Sequence, residues 1–170
     1  MIDIEGLATG PEATILTIAA QGFDPMGKGY FADHQYYARI TLESQPTRTI
    51  EQSTIDWWAT QKEAQQEAFA EDGRVDLDVA LQDLARLVRK CTRVWMNGPT
   101  YDATILENAY KSYGFALPWY YYSVRDARTV YSLYPDLNRP PTSHHALEDC
   151  RRQIGLLQDT LKYFKIKELV

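Results

Sequence analysis

The residues best suited to chemistry fall in three clusters far apart along the chain: Asp3 and Glu5 in MIDIEGL, Asp102 in NGPTYD, and His144 with Asp149 in HHALED. Carboxylates hold hard divalent cations and a nearby imidazole can take a proton from water. Four acids and one histidine are therefore enough for metal-assisted hydrolysis of a phosphodiester. That chemistry requires the clusters to meet in space. Each also has an ordinary explanation: a D-x-E pair can be the solvated face of a strand, Asp102 can serve a helix start, and a loop histidine can sit idle on the surface.

The elements that must position these residues are legible in the hydrophobic pattern. Met1 to Glu5 alternates, Ala13 to Gln21 is rich in Ile, Leu and Thr, and Tyr36 to Leu42 alternates again. Three neighbouring strands are expected, with turns at Gly10-Pro11 and Asp24 to Gly27. On the first strand Asp3 and Glu5 share one face while Ile2 and Ile4 take the other, and with little chain before it this strand could form an edge. Ser53 or Thr54 is placed to cap a helix carrying Trp57 and Trp58. Asp76 to Lys90 repeats Leu77, Leu81, Leu84 and Val88 at helical spacing, and Arg93 to Met96 reads as a short buried strand.

After the turn Asn97 to Thr100, a helix from Tyr101 to Tyr113 ends at Gly114, and Asp102 heads its apolar stripe of Ile105, Leu106 and Ala109. A short strand at Ser123 to Asp126, a proline-rich loop from Pro135 to Ser143 and a closing helix from Ala146 to Phe164 complete the chain. That last helix carries Leu147, Cys150, Ile154, Leu157, Leu161 and Phe164 as its stripe, with Asp149 at the edge. His144 falls in the loop just before it, and His145 competes for the same role.

At 170 residues the chain fits one domain spanning 1–170, with 45% hydrophobic and 24% charged residues in the ordinary globular range. No apolar run approaches a membrane span and no basic-then-apolar leader is visible, so a cytoplasmic protein is expected, with Cys91 and Cys150 as reduced thiols. A net charge of -5 argues against coating nucleic acid by bulk electrostatics. It leaves room for an enzyme whose acidic residues bind cations.

The arrangement D-x-E, then N-x-x-x-[FY]-D, then H-x-A-x-x-D resembles the DEDDh branch of the DEDD 3′ to 5′ exonucleases. The matching segments are Asp3-Ile4-Glu5, Asn97 to Asp102, and His144 to Asp149. The wider context, with TIDWW at Thr54 to Trp58 and RDART at Arg125 to Thr129, is similar to the bacterial and phage subgroup typified by the ribonuclease AS-like domain. The resemblance implies an α/β RNase H-like fold, a mixed central β-sheet flanked by α-helices. It also implies two divalent ions, Mg²⁺ or Mn²⁺, with Asp3 bridging them, Glu5 and Asp149 completing one site and Asp102 serving the other. It makes His144, five residues before the last aspartate, the general base in preference to His145. It implies a substrate with a free 3′ end, DNA or RNA, cut to nucleoside 5′-monophosphates. One departure is Gly6, where many relatives carry Thr.

Substrate contacts are read from residue type. Trp57 and Trp58 offer aromatic faces for a terminal base, although adjacent helical positions cannot both face one way. Asn97 and Tyr101 on the second motif, and Arg125, are further candidate contacts. Arg128, Arg151 and Arg152 are candidates for phosphate, while Trp119 to Tyr122 reads as packing around a strand. Homodimers are a common assembly for such chains. The competing reading is a non-catalytic nucleic-acid or protein interaction module on the same fold, which would have little reason to keep all five of Asp3, Glu5, Asp102, His144 and Asp149.

Overall fold

Alternation decides the first element. In the computed structural model, which describes residues 1–169, β1 (Ile2–Gly6) buries Ile2 and Ile4 on one face and turns Asp3 and Glu5 to the other. It pairs antiparallel with β2 (Ile15–Gln21), which pairs antiparallel with β3 (Gln35–Arg39). On its other side β1 pairs in parallel with β4 (Val94–Met96), and β4 with β5 (Val124–Asp126). The order β3-β2-β1-β4-β5 puts β1 at the centre of a mixed sheet, where an edge position was one expectation. Strand β2 is buried along its whole length because both of its faces are covered.

The helices supply those covers. On the face of Ile2 and Ile4 lie α3 (Leu77–Val88) and α4 (Pro99–Ser112), which contribute Leu81, Leu84, Ile105 and Leu106 to one core. On the face of Asp3 lie α5 (Ala127–Ser132) and α6 (Ala146–Tyr163), which pack Ala127, Cys150, Ile154 and Leu157 against Ala19 and Trp95. Two short helices, α1 (Gln52–Trp58) and α2 (Lys62–Ala68), close over Leu7 and Leu16. Among the described residues no helix is long and apolar enough to cross a membrane.

Several boundaries differ from the sequence pattern for physical reasons. Helix α1 begins after Glu51, so neither Ser53 nor Thr54 caps it; the Glu51 carboxylate instead accepts from the Thr9 amide and hydroxyl, at 3.3 Å each. Helix α4 starts at Pro99, whose fixed φ and missing N–H suit a first helical position, after Gly98 at φ 91. It stops as expected at Gly114, φ 68, where the Phe115 amide reaches back to the Tyr110 carbonyl at 2.9 Å. Helix α2 escaped the pattern because only Ala64 and Ala68 are buried on it. Helix α5 is a short helix capped by the Asp126 carboxylate, which accepts from the Arg128 amide at 3.0 Å. Phe164 is exposed, and so are Tyr120, Tyr121 and Tyr122, which were expected to pack; only Trp119 of that run enters the core.

Gly6 has a local cause. A Cβ there would lie 2.9 Å from the Tyr101 hydroxyl and 3.0 Å from the Thr14 carbonyl oxygen, so the close passage of α4 over the end of β1 admits no side chain. Gly6→Ala should cost about 1–3 kcal/mol by overpacking, measured by urea denaturation, and adding Tyr101→Phe should recover part of the loss. An alanine variant as stable as the parent would contradict this packing.

Candidate active site

Asp102 meets β1 because β4 ends early. The parallel pairing of β1 with β4 is at Ile2 and Met96; beyond it the chain turns at Gly98 into α4. The Ile4 amide on that side is left without a strand partner, and the buried Asp102 carboxylate accepts from it at 3.1 Å. The carboxylate that a sequence reading could assign to a helix start is thereby pinned beside Asp3 and Glu5.

Helix α6 brings the fourth acid. Asp149 is buried, and the loop before it folds back over its carboxylate. Thr142 Oγ1 donates at 2.6 Å, the Ser143 amide at 3.2 Å, the His144 amide at 2.8 Å and Arg152 Nε at 3.0 Å. His144 has φ 54, a left-handed conformation that costs a non-glycine residue about 1–2 kcal/mol. The bonds to Asp149 offset that cost and point the imidazole inward. Its Nδ1 lies 4.0 Å from Glu5 Oε1, and Glu5, His144 and Asp149 each offer a ligand atom within 4.8 Å of the others.

The two tryptophans separate. Trp58 is fully buried and donates from Nε1 to the Gly6 carbonyl at 3.0 Å, so it is a core residue and not a substrate contact. Trp57 is exposed on the cleft and meets the His144 ring edge-to-face, with centroids 4.8 Å apart. His145 turns away from the acids, stacks on Tyr37 at 4.8 Å and faces Glu67, which also accepts from the Tyr37 hydroxyl. That leaves His145 a structural anchor for the loop.

The remaining candidates divide in the same way. Asn97 and Tyr101 line the cleft, a cavity of about 570 Å³ shared with all four acids, His144, Trp57, Arg128 and Arg152. Arg125 does not line it. Its guanidinium is spent on the carbonyls of Tyr122, at 2.6 Å, and Val124, at 3.0 Å, so the expectation of a substrate contact there is corrected. One residue in the cleft was not anticipated: Gln153, buried one turn after Asp149 on α6, donates from Nε2 to Asp3 Oδ1 at 2.7 Å. A lone glutamine carries no motif; its only signal was i+4 spacing from Asp149.

Electrostatically the site is unfavourable by itself. Burial raises the Asp3 carboxyl to about 7, with Asp149 adding to the rise and Gln153 opposing it. Burial and then the Asp3 charge also hold Glu5 and Asp102 well above the usual carboxylate range. His144 is shifted the other way, downward by burial, which favours the neutral imidazole. The donor set fits a hard divalent cation: the carboxylates are oxygen ligands, and the buried Gln153 Oε1 has no hydrogen-bond partner among the described residues.

Known proteins place this site in context. A family model described as the 3′-5′ exoribonuclease Rv2179c-like domain matches residues 1–161. The solved structure of cell-death related nuclease 4 aligns with a TM-score of 0.59 at 12% identity, a likeness of fold, over 95% of this chain. The chain spans 63% of that nuclease. No curated protein sequence is a significant match.

The raised Asp3 pKa has a definite sign. Between the ordinary carboxylate value near 4 and about 7, the folded state binds more protons than the unfolded one, so this group's contribution to stability falls as pH rises through that window and is flat above it. In metal-free buffer, melting temperatures of Asp3→Asn should therefore gain on the parent from pH 5 to pH 8. Added Mg²⁺ should raise the parent more than the variant. A pH-independent difference between the two proteins would contradict the buried cluster.

Proposed function

The chain belongs to the Rv2179c-like family of 3′-5′ exoribonuclease domains, and from that premise we propose a divalent-metal-dependent 3′ to 5′ exonuclease of the DEDDh type. The substrate is a strand with a free 3′ end, RNA in the first instance given the family's description, and on this reading the products are nucleoside 5′-monophosphates. The observation that carries this reading is the convergence of Asp3, Glu5, Asp102 and Asp149 in one cleft with His144 4.0 Å from Glu5.

In this reading Asp3, Glu5 and Asp149 would hold one ion, and Asp3 with Asp102 a second. When bound, the ions supply positive charge that lowers the pKa of the attacking water and stabilises the departing 3′ oxygen. The chain's own residues do the rest. His144, favoured as the neutral imidazole, takes the proton from the attacking water. Asp149 fixes the backbone of His144, and Trp57 fixes its ring while leaving an exposed face for the terminal base. Gln153 holds Asp3 from the α6 side through its amide.

The direct test uses 5′-labelled RNA and DNA of matched sequence with Mn²⁺ and then with chelator. The expected result is shortening one nucleotide at a time from the 3′ end, abolished by the chelator; internal cuts or chelator-resistant activity would contradict it. His144→Ala should keep Mn²⁺ binding and lose about 10²- to 10⁴-fold in turnover, and near-parental turnover would remove its role as base. Trp57→Ala should weaken oligonucleotide binding by about 1–3 kcal/mol in fluorescence anisotropy, whereas unchanged affinity would remove the stacking contact.

A further inference from the structure

Four arginines near the cleft could meet phosphate, and two of them are already engaged elsewhere. Arg125 serves the carbonyls of Tyr122 and Val124. Arg151 binds Glu148 at 2.6 Å and Gln35 at 2.7 Å, and lies over the Tyr30 ring at 5.0 Å. The other two, Arg128 and Arg152, line the cavity that holds the acids.

Arg128 is built to stay there. Its guanidinium donates to the Asn97 carbonyl at 2.8 Å and lies against Gly98, where a Cβ would approach it to 3.2 Å. Glycine at φ 91 therefore serves both the turn into α4 and the seat of this side chain. The residue itself is exposed, so the guanidinium is held on one side by the backbone carbonyl and side-chain oxygen of Asn97 and is open to the cleft on the other.

Arg152 is held differently. Its Nε donates to Asp149 at 3.0 Å, and its two terminal amino groups have no partner among the described residues. Asp149 accepts from four groups, three of which tie down Thr142, Ser143 and His144. A cation arriving at Asp149 must displace a donor, and the one it repels most strongly is the guanidinium. With the four carboxylates neutralised by two divalent ions, Arg128 and Arg152 remain as unbalanced positive charge facing the cleft, a favourable setting for the anionic part of a nucleotide.

We propose that Arg128 and Arg152 form the phosphate-binding pair of this cleft, with Arg152 exchanging Asp149 for a nucleotide phosphate when divalent cations occupy the carboxylates. The inference rests on the exonuclease reading and adds to it the residues that recognise the anion. Arg128 is the fixed half of the pair and Arg152 the mobile half.

The test is calorimetric binding of adenosine 5′-monophosphate and of adenosine in saturating Mn²⁺, for the parent, Arg128→Ala, Arg152→Ala, Arg152→Lys and Arg125→Ala. The parent should bind the monophosphate more tightly than the nucleoside. Arg128→Ala and Arg152→Ala should each lose about 10- to 100-fold for the monophosphate, as expected for a charged hydrogen bond. Their affinity for adenosine should be unchanged, Arg152→Lys should recover part of the loss, and Arg125→Ala should match the parent. Mn²⁺ affinity should be kept or strengthened in Arg152→Ala, which a merely structural role would not produce. If the parent shortens RNA from its 3′ end while both alanine variants keep full monophosphate affinity, the pair is overturned and the exonuclease reading stands. A parent that neither shortens RNA nor prefers the monophosphate over adenosine would overturn both.

Discussion

Buried like charge is the constraint around which this molecule is organised. Asp3, Glu5 and Asp102 are held above their ordinary proton affinities chiefly by burial; the Asp3 charge then adds to the rise at Glu5 and Asp102, and Asp149 to the rise at Asp3 and Glu5. A fold does not concentrate carboxylates on its central strand for its own stability, because unpaired buried charge is among the most expensive things a core can contain. Within the chain the charge is offset only in part, by the Gln153 amide on Asp3, the Ile4 amide on Asp102 and a shell of donors on Asp149. The remaining deficit is what a divalent cation would fill.

The topology follows from that demand. A central β1 lets one strand present Asp3 and Glu5 to α6 while Ile2 and Ile4 bind the sheet to α3 and α4. The parallel strand β4 ends early, which frees the Ile4 amide for Asp102 and lets α4 start beside the acids. Gly6 and Gly98 answer the same crowding: one admits Tyr101, the other admits the turn and the Arg128 guanidinium. The strained backbone of His144 is tolerated because its amide donates to Asp149, so His144 and Asp149 are placed by a single interaction.

Much of this was legible in the sequence, and what was not has a physical reason. The shared face of Asp3 and Glu5 followed from a period of two within one strand, and the inward direction of Asp102 from a period of 3.6 within one helix. Both are local properties. The preference for His144 over His145 came from the family's spacing; in the structure His145 is engaged with Tyr37 and Glu67 while His144 lines the cleft. Which of Trp57 and Trp58 faces the cleft depends on how α1 docks over Gly6, a tertiary fact with no local signature. Of the two candidate arginines only Arg128 lines the cleft, because β5 gives way to α5 between them, at the Asp126 cap. Gln153 was invisible because a neutral amide becomes informative only when its partner, Asp3, is known.

Cation binding by the carboxylate cluster is measured by calorimetric titration of Mn²⁺ into metal-free protein at pH 7, in buffers of different ionisation enthalpy. Uptake of about two ions per chain is expected, accompanied by proton release, because burial pushes the Asp3 carboxyl up to about 7 before binding. Asp3→Asn should lose most of that uptake. Absence of binding by the parent, or binding by Asp3→Asn indistinguishable from it, would contradict a cation site built on Asp3.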